Sequence, residues 1–174
     1  GGTDVVDDSW TDSNLNVDLG AGTATSTGGS LTPINYILNS IEGFLAGSGD
    51  DNITGTNDDN ILGGGLGDDN LNAGGGTNTL DESMEWIPAG PTFITNNNKQ
   101  FRSQNTNVNL TAGTINGIGT DIISGFVNVY TGAGNDNIIG NLLNNIIGAG
   151  PGTNTVDGVG GTNTLDESMM TNNT

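Results

Sequence analysis

Residues 47–81 read GSGDDNITGTNDDNILGGGLGDDNLNAGGGTNTLD, and residues 132–166 repeat that stretch as GAGNDNIIGNLLNNIIGAGPGTNTVDGVGGTNTLD. In the first copy single aliphatic residues stand at Ile53, Ile61, Leu71 and Leu80, at intervals of 8, 10 and 9. In the second they stand at Ile138, Ile146, Val156 and Leu165, each 85 residues after its counterpart. A shared rhythm is a duplicated architecture, and a period near nine with one aliphatic per period predicts a solenoid. Glycines in each turn supply positive φ and close backbone approach, and the aliphatic points into a column of equivalent residues.

Outside the turns the duplication continues. VDLGAGT at 17–23 corresponds to VNLTAGT at 108–114, and LNSIEGFLAGSG at 38–49 to ISGFVNVYTGAG at 123–134. TNTLDESM occurs at both 77–84 and 162–169. The expected organisation is all-β: a parallel β-solenoid, β-roll-like, in two tandem modules. Module 1 covers 1–84, an irregular connection covers 85–107, and module 2 covers 108–174. The connection holds Trp86, Pro88, Pro91, Phe93, Phe101 and both basic residues, Lys99 and Arg102, and reads as a cap over a solenoid edge. INYILNSIEGFL at 34–45 could tempt a helical assignment, but its counterpart TDIISGFVNVYT is β-branched and aromatic, so both are read as strands. The opening GGTDVVD reads as the close of one more repeat turn, so the array is expected to continue upstream, with this chain a processed subunit or an excised fragment.

Charge limits the functions open to such a chain. Its 174 residues include 31 Gly, 27 Asn and 20 acids, no His and no Cys, for a formal charge of −18. That charge excludes nucleic acid and anionic membrane surfaces as partners, and no segment is long and apolar enough to insert in a membrane. It also makes the chain repel itself unless cations neutralise it. Carboxylates recurring at one place in successive turns form a ladder of negative charge, and a hard oxygen-seeking cation, Ca²⁺, is the species expected between the rungs. Without His or Cys a soft transition-metal site is not expected.

The turns resemble the nonapeptide repeats of the RTX (haemolysin-type) calcium-binding β-roll family. The pattern GGxGxDxUx matches Gly47, Gly49, Asp51 and Ile53, then Gly67, Asp69 and Leu71, with a degenerate turn at Asn57, Asp59 and Ile61 between them. The resemblance implies that two nonapeptides make one coil, with calcium between turns two repeats apart. Asp51 and Asp69 would then share one edge, and Asp59 would face Asn78 on the other. The second copy has Asp136, Asn144, Asn154 and Asn163 at these positions, so one rung there is anionic and an asparagine ladder is expected to hold the rest. Gly47, Gly49, Asp51, Asp59, Gly67, Asp69, Asn78 and Asp136 are thus the expected calcium-site residues. Asp50, Asp58 and Asp68 are expected to face solvent, because adjacent side chains point to opposite faces, and Asp81, Asp157 and Asp166 to form turns.

No nucleophile, base or phosphate loop stands out, and acid–base catalysis needs shifted groups in a cleft, so the chain is not expected to be an enzyme. The expected function is that of a non-catalytic extracellular calcium-binding structural module of a bacterial surface protein, as a surface layer, adhesin or self-assembling fibre subunit. Self-association is the expected partnership, and a cell-surface polysaccharide the other partner class of an adhesive module. The alternative is an RTX repeat region of a secreted enzyme or toxin, assisting secretion and calcium-driven folding. An ice-binding role, suggested by TNT at 77–79, 153–155 and 162–164, ranks last because these threonines recur too irregularly for a flat ladder. NIT at 52–54, NLT at 109–111 and NNT at 172–174 match the N-x-[ST] acceptor pattern, which is common by chance in an Asn-rich chain.

Overall fold

A computed structural model describes residues 2–30, 33–86 and 99–168, with side chains given except at 84–86 and 99–101. The strands in chain order are β1 (Val5–Asp7), β2 (Asn14–Asp18), β3 (Thr23–Thr27), β4 (Asn35–Ile37), β5 (Gly43–Leu45), β6 (Asn52–Thr56), β7 (Ile61–Gly63), β8 (Asn70–Gly74), β9 (Asn78–Asp81), β10 (Met84–Trp86), β11 (Lys99–Phe101), β12 (Asn107–Asn109), β13 (Thr114–Asn116), β14 (Thr120–Ser124), β15 (Phe126–Tyr130), β16 (Asn137–Ile139), β17 (Ile146–Gly148), β18 (Thr155–Asp157) and β19 (Thr164–Leu165). Among the described residues there is no α-helix, and residues 34–45 hold β4 and β5, as expected from their counterpart. The expected cap residues Pro88, Pro91 and Phe93 lie outside the described residues, as do 169–174.

Two long sheets carry the molecule. One is seven-stranded and wholly parallel, in the order β1-β5-β7-β9-β15-β17-β19. The other is ten-stranded, in the order β18-β16-β12-β13-β14-β8-β6-β2-β3-β4. It is parallel except where β3 and β13 run antiparallel to both their neighbours. From β5 to β9, and again from β15 to β19, the chain passes alternately from one sheet to the other. Each nine-residue unit therefore supplies one strand, and two units complete a winding. The β10–β11 pair forms a separate antiparallel hairpin on the connection.

Between the sheets run two lines of apolar side chains. Phe44, Leu62, Leu80, Val129 and Ile147 align in register in the parallel sheet, and each is at most 1 % exposed. Val17, Ile53, Leu71 and Ile123 align in the other sheet, with Val108 and Ile138 further along. This thin core suits the low apolar fraction, since each strand needs one buried aliphatic to stack on the next. The two copies join in both sheets at once: β14 pairs with β8 and β15 with β9.

The structure corrects the rhythm read from the sequence. In the second unit of each copy the buried aliphatics are Leu62 and Ile147, while Ile61 is half-buried and Ile146 is exposed. The core positions thus follow one another in sequence as Ile53, Leu62, Leu71, Leu80 and Ile138, Ile147, Val156, Leu165, at a uniform interval of nine and alternating between the two sheets. Both units carry two adjacent aliphatics, and a slip of one residue in a strand exchanges the inner face for the outer. Equal units keep successive windings the same length, so both edges stay in register.

Candidate metal centre

The site begins with glycine. A Cβ on Gly65 (φ 93°) would fall on the Gly47 carbonyl, and one on Gly67 (φ 125°) on the Gly49 carbonyl. Turns in successive windings therefore lie backbone against backbone, which a side chain would prevent. Into this stack each winding folds one aspartate. Asp51 Oδ1 accepts the peptide N–H of Leu15 (2.7 Å), Asp69 Oδ1 accepts that of Asp51 (2.8 Å), and Asp121 Oδ1 accepts that of Asp69 (3.1 Å). A second ladder runs the other way on the outer side of the same turns. The N–H of Asp50 donates to Asn14 Oδ1, that of Asp68 to Asp50 Oδ1, and that of Thr120 to Asp68 Oδ1. Asp50, Asp58 and Asp68 are exposed, as expected. Asp81, Asp157 and Asp166 each accept the peptide N–H two residues on, the turn geometry expected of them.

Of the expected site residues, Gly47, Gly49, Asp51, Gly67 and Asp69 come together on this edge, and Asp136 lies further along it. Asp59 does not belong to the inner ladder. It is exposed and accepts the N–H of Thr77, while Asn60 takes the inner place facing Asn78. In the second copy Asn145 rather than Asn144 is the inner rung, for the same one-residue reason. Four inner rungs of the opposite edge are amides, Asn60, Asn78, Asn145 and Asn163, while at its N-terminal end Glu42 takes the rung position and accepts the Asp4 N–H (3.0 Å).

Asp121 is not among the residues that the sequence pattern singles out, yet its signal is there. Gly117, Gly119, Asp121 and Ile123 repeat the spacing of Gly47, Gly49, Asp51 and Ile53, hidden because the first copy has Tyr36 at the matching position. Glu82 is a second addition. It is buried, accepts the N–H groups of Gly64 and Gly65, and pairs with Arg102 of the connection at 3.7 Å.

Each of Asp51, Asp69 and Asp121 has one oxygen in use and one without a partner, since their Oδ2 atoms are buried and accept no hydrogen bond. Burial pushes Asp51 up to about 7 against the pull of the Leu15 N–H, and Asp69 up to about 9 against that of the Asp51 N–H. Asp121 is pushed up to about 6 by the same cause. Burial also raises Glu82 to about 7, opposed by Arg102.

What the free oxygens face follows from the second copy. There Asn154, the counterpart of Asp69, donates its side-chain amide to the carbonyls of Ala149 (3.1 Å) and Gly150 (2.9 Å). The equivalent carbonyls are those of Gly64 and Gly65 for Asp69, and of Ala46 and Gly47 for Asp51. An asparagine nitrogen donates to such a pair, whereas a carboxylate oxygen set among carbonyl oxygens needs a proton or a cation between them. Asp136 escapes the problem: its Oδ1 accepts the Thr106 N–H (2.8 Å) and its Oδ2 the Thr131 hydroxyl (2.6 Å).

Carboxylate and carbonyl oxygens together are the donor set of a hard cation, so Asp51, Asp69 and Asp121 fit Ca²⁺. Among the described residues no group of three or more acidic side chains converges on one point. A cation held here would draw on one or two carboxylates and on backbone carbonyls. Comparison with known proteins finds no family model that matches the chain and no similar curated protein.

Proposed function

We propose that this chain is a non-catalytic, RTX-like β-solenoid, held by Ca²⁺ along its aspartate edge, that serves as a structural module of an extracellular or cell-surface protein and self-associates. The observation that carries the reading is the row of unpartnered Oδ2 atoms on Asp51, Asp69 and Asp121. Alternation of the chain between two long sheets supports the solenoid form, with two nine-residue units to the coil. Few charges per site favour weak binding, in the 10⁻⁴–10⁻³ M range roughly characteristic of extracellular calcium modules, which suits a secreted location. In a structural role the shifted acids act as rungs. Each is at most 2 % exposed and ties one turn to the next, whereas a catalytic acid must reach a substrate.

The test is a calcium titration of the chelated chain, followed by far-UV circular dichroism with light scattering on the same samples. A gain of β signal and of thermal stability at millimolar calcium is expected, with scattering rising alongside. A β signal and melting temperature indifferent to chelator and calcium would overturn the metal reading. A chain that stays monomeric at high concentration would overturn self-association.

A further inference from the structure

Three segments of the chain are versions of one another: GGTDVVDDS at 1–9, GGTNTLDES at 75–83 and GGTNTLDES at 160–168. They supply β1, β9 and β19. Their equivalence is structural as well. β1 lies on β5 with Val5 opposite Gly43 and Val6 opposite Phe44, and β9 lies on β15 with Thr79 opposite Asn128 and Leu80 opposite Val129. With offsets of 74 between β1 and β9 and 85 between β5 and β15, these are the same register. The N-terminal strand therefore sits where a preceding module would place its last strand.

In the ten-stranded sheet no described strand takes the matching seat. Inside the molecule β8 pairs with β14, Ile122 standing opposite Asn70 and donating its N–H to the Asp69 carbonyl (2.9 Å). The counterpart of β14 is β4, which ends the sheet, and the counterpart of β8 is β18, which ends it on the other side. Column residues at that far end lie uncovered. Val156 is 38 % exposed and Leu165 55 %, whereas their counterparts Leu71 and Leu80, covered by β14 and β15, are at most 1 % exposed.

We propose that two copies of this chain join end to end by repeating the internal junction: β18 of one pairs with β4 of the next, while β1 of that next copy takes the seat of β19 on β17. This rests on the self-association reading and gives it a register. Thr155 would stand opposite Ile37 and Val156 opposite Leu38 in one sheet, with Ile146 opposite Val5 and Ile147 opposite Val6 in the other. One strand must leave, because β1 and β19 are equivalents and a junction has room for one. β19 gives way, since it pairs through two residues whose side chains are both exposed. β1 pairs through three residues, one more than β19; the flanking bonds are otherwise alike, with Asp8 accepting the Tyr36 hydroxyl beside β1 and Asp166 that of Tyr130 beside β19. Asp4 also stands at the rung of Asn163, so it offers an acceptor to the Asn145 N–H in its place. The rungs meeting at this junction are Asn154 and Tyr36 where the internal one has Asp69 and Asp121, so the contact buries no unpartnered carboxylate in its column.

The chain has no cysteine, so a disulfide can report the register. Ile37 and Thr155 lie at opposite ends of the ten-stranded sheet, and paired strands bring facing residues within about 5 Å, inside disulfide reach. The double variant I37C/T155C, mildly oxidised with calcium present, is expected to form a ladder of dimers and higher species on a non-reducing gel. The single variants I37C and T155C should cross-link when mixed and not alone. Ile37→Pro removes the outward N–H of an edge strand and leaves the inner pairing, so it should abolish scattering with the far-UV spectrum unchanged. Assembly of the wild-type chain together with no disulfide in I37C/T155C, or assembly that survives I37P, overturns this junction and leaves self-association standing. A wild-type chain that remains monomeric overturns both.

Discussion

The two edges of the winding are made from the same nine-residue unit and differ in one atom per rung. One edge carries the aspartate rungs Asp51, Asp69, Asp121 and Asp136, with Asn154 beyond them; the other carries the amide rungs Asn60, Asn78, Asn145 and Asn163. Each rung accepts a peptide N–H, from the neighbouring winding at Asn78 and Asn163 or from its own turn at Asn60 and Asn145, and must also satisfy carbonyls left over around it. An amide does both. Asn78 accepts the Asn60 N–H and donates to the carbonyls of Gly75 (2.7 Å) and Gly125 (2.9 Å). A carboxylate does the first and worsens the second, so the aspartate edge is incomplete without a proton, a cation or, at Asp136, a hydroxyl. One edge is therefore fixed in strength by its own atoms, and the other is open to control by solution conditions.

The largest consequence is in the pH dependence of the chelated protein. Asp51, Asp69, Asp121 and Glu82 are raised in the fold above the unfolded carboxylate range near 4, so between about pH 4 and pH 9 the folded chain holds more protons than the unfolded one. Stability then falls as pH rises through that window, by about 1.4 kcal/mol per pH step for each extra proton the fold still holds. The loss towards pH 9 belongs to these buried groups, Asp69 above all. Thermal melts in chelator are expected to be highest near pH 5 and to drop towards pH 9, and millimolar calcium should flatten the profile. A flat profile in chelator would mean that both edges are equally self-sufficient.

Exchanging the atoms between edges comes next. Asn78→Asp sets an oxygen against the Gly75 and Gly125 carbonyls, and should cost roughly 3 kcal/mol at neutral pH in chelator, the penalty of a buried unpaired and charged acceptor. Lowering the pH to 5 should recover part of it. The reverse exchange, Asp69→Asn, converts the most strongly shifted rung to the chemistry of Asn154. It should raise stability in chelator at pH 8 by about 1–3 kcal/mol and shrink the response to calcium. Denaturant unfolding of the two variants, with and without calcium, measures both. If they moved in the same direction, the edges would not differ in the way their hydrogen bonds imply.

How much of this the sequence discloses depends on whether a signal is local. The motif Gly-x-Gly-x-Asp-x-Ile at 47–53 is local and marks both the turn and the rung, and it marks Asp121 equally well at 117–123. The period is obscured where two aliphatics stand together, Ile61 with Leu62 and Ile146 with Ile147, because composition does not say which of two neighbours faces inward. That ambiguity moves the second-edge rung from Asn60 to Asp59 and hides the run of amides on that edge. Least legible are the partners of the rungs. Glu82 meets Arg102 across 20 residues, and Asp136 is completed by Thr131 at a position where the first copy has Ala46. Such pairs exist only once the chain has wound.

That last difference yields the smallest and most specific test. Ala46 is the counterpart of Thr131, and both are buried beside the carboxylate of their turn. Ala46→Thr should give Asp51 Oδ2 the hydroxyl partner that Asp136 Oδ2 has, and draw its pKa down from about 7 towards the ordinary range. Two added heavy atoms in a tight turn offset part of that gain, as overpacking strains its neighbours, so the net change in chelator is expected within about 1 kcal/mol. Stability therefore reads this variant poorly, and the carboxyl resonance of Asp51 reads it well. An NMR titration of that side chain should show its midpoint falling in A46T while those of Asp69 and Asp121 stay near their wild-type values. An unmoved midpoint would mean that Asp51 owes its shift to burial alone, and that the hydroxyl in the second copy does not stand in for a cation.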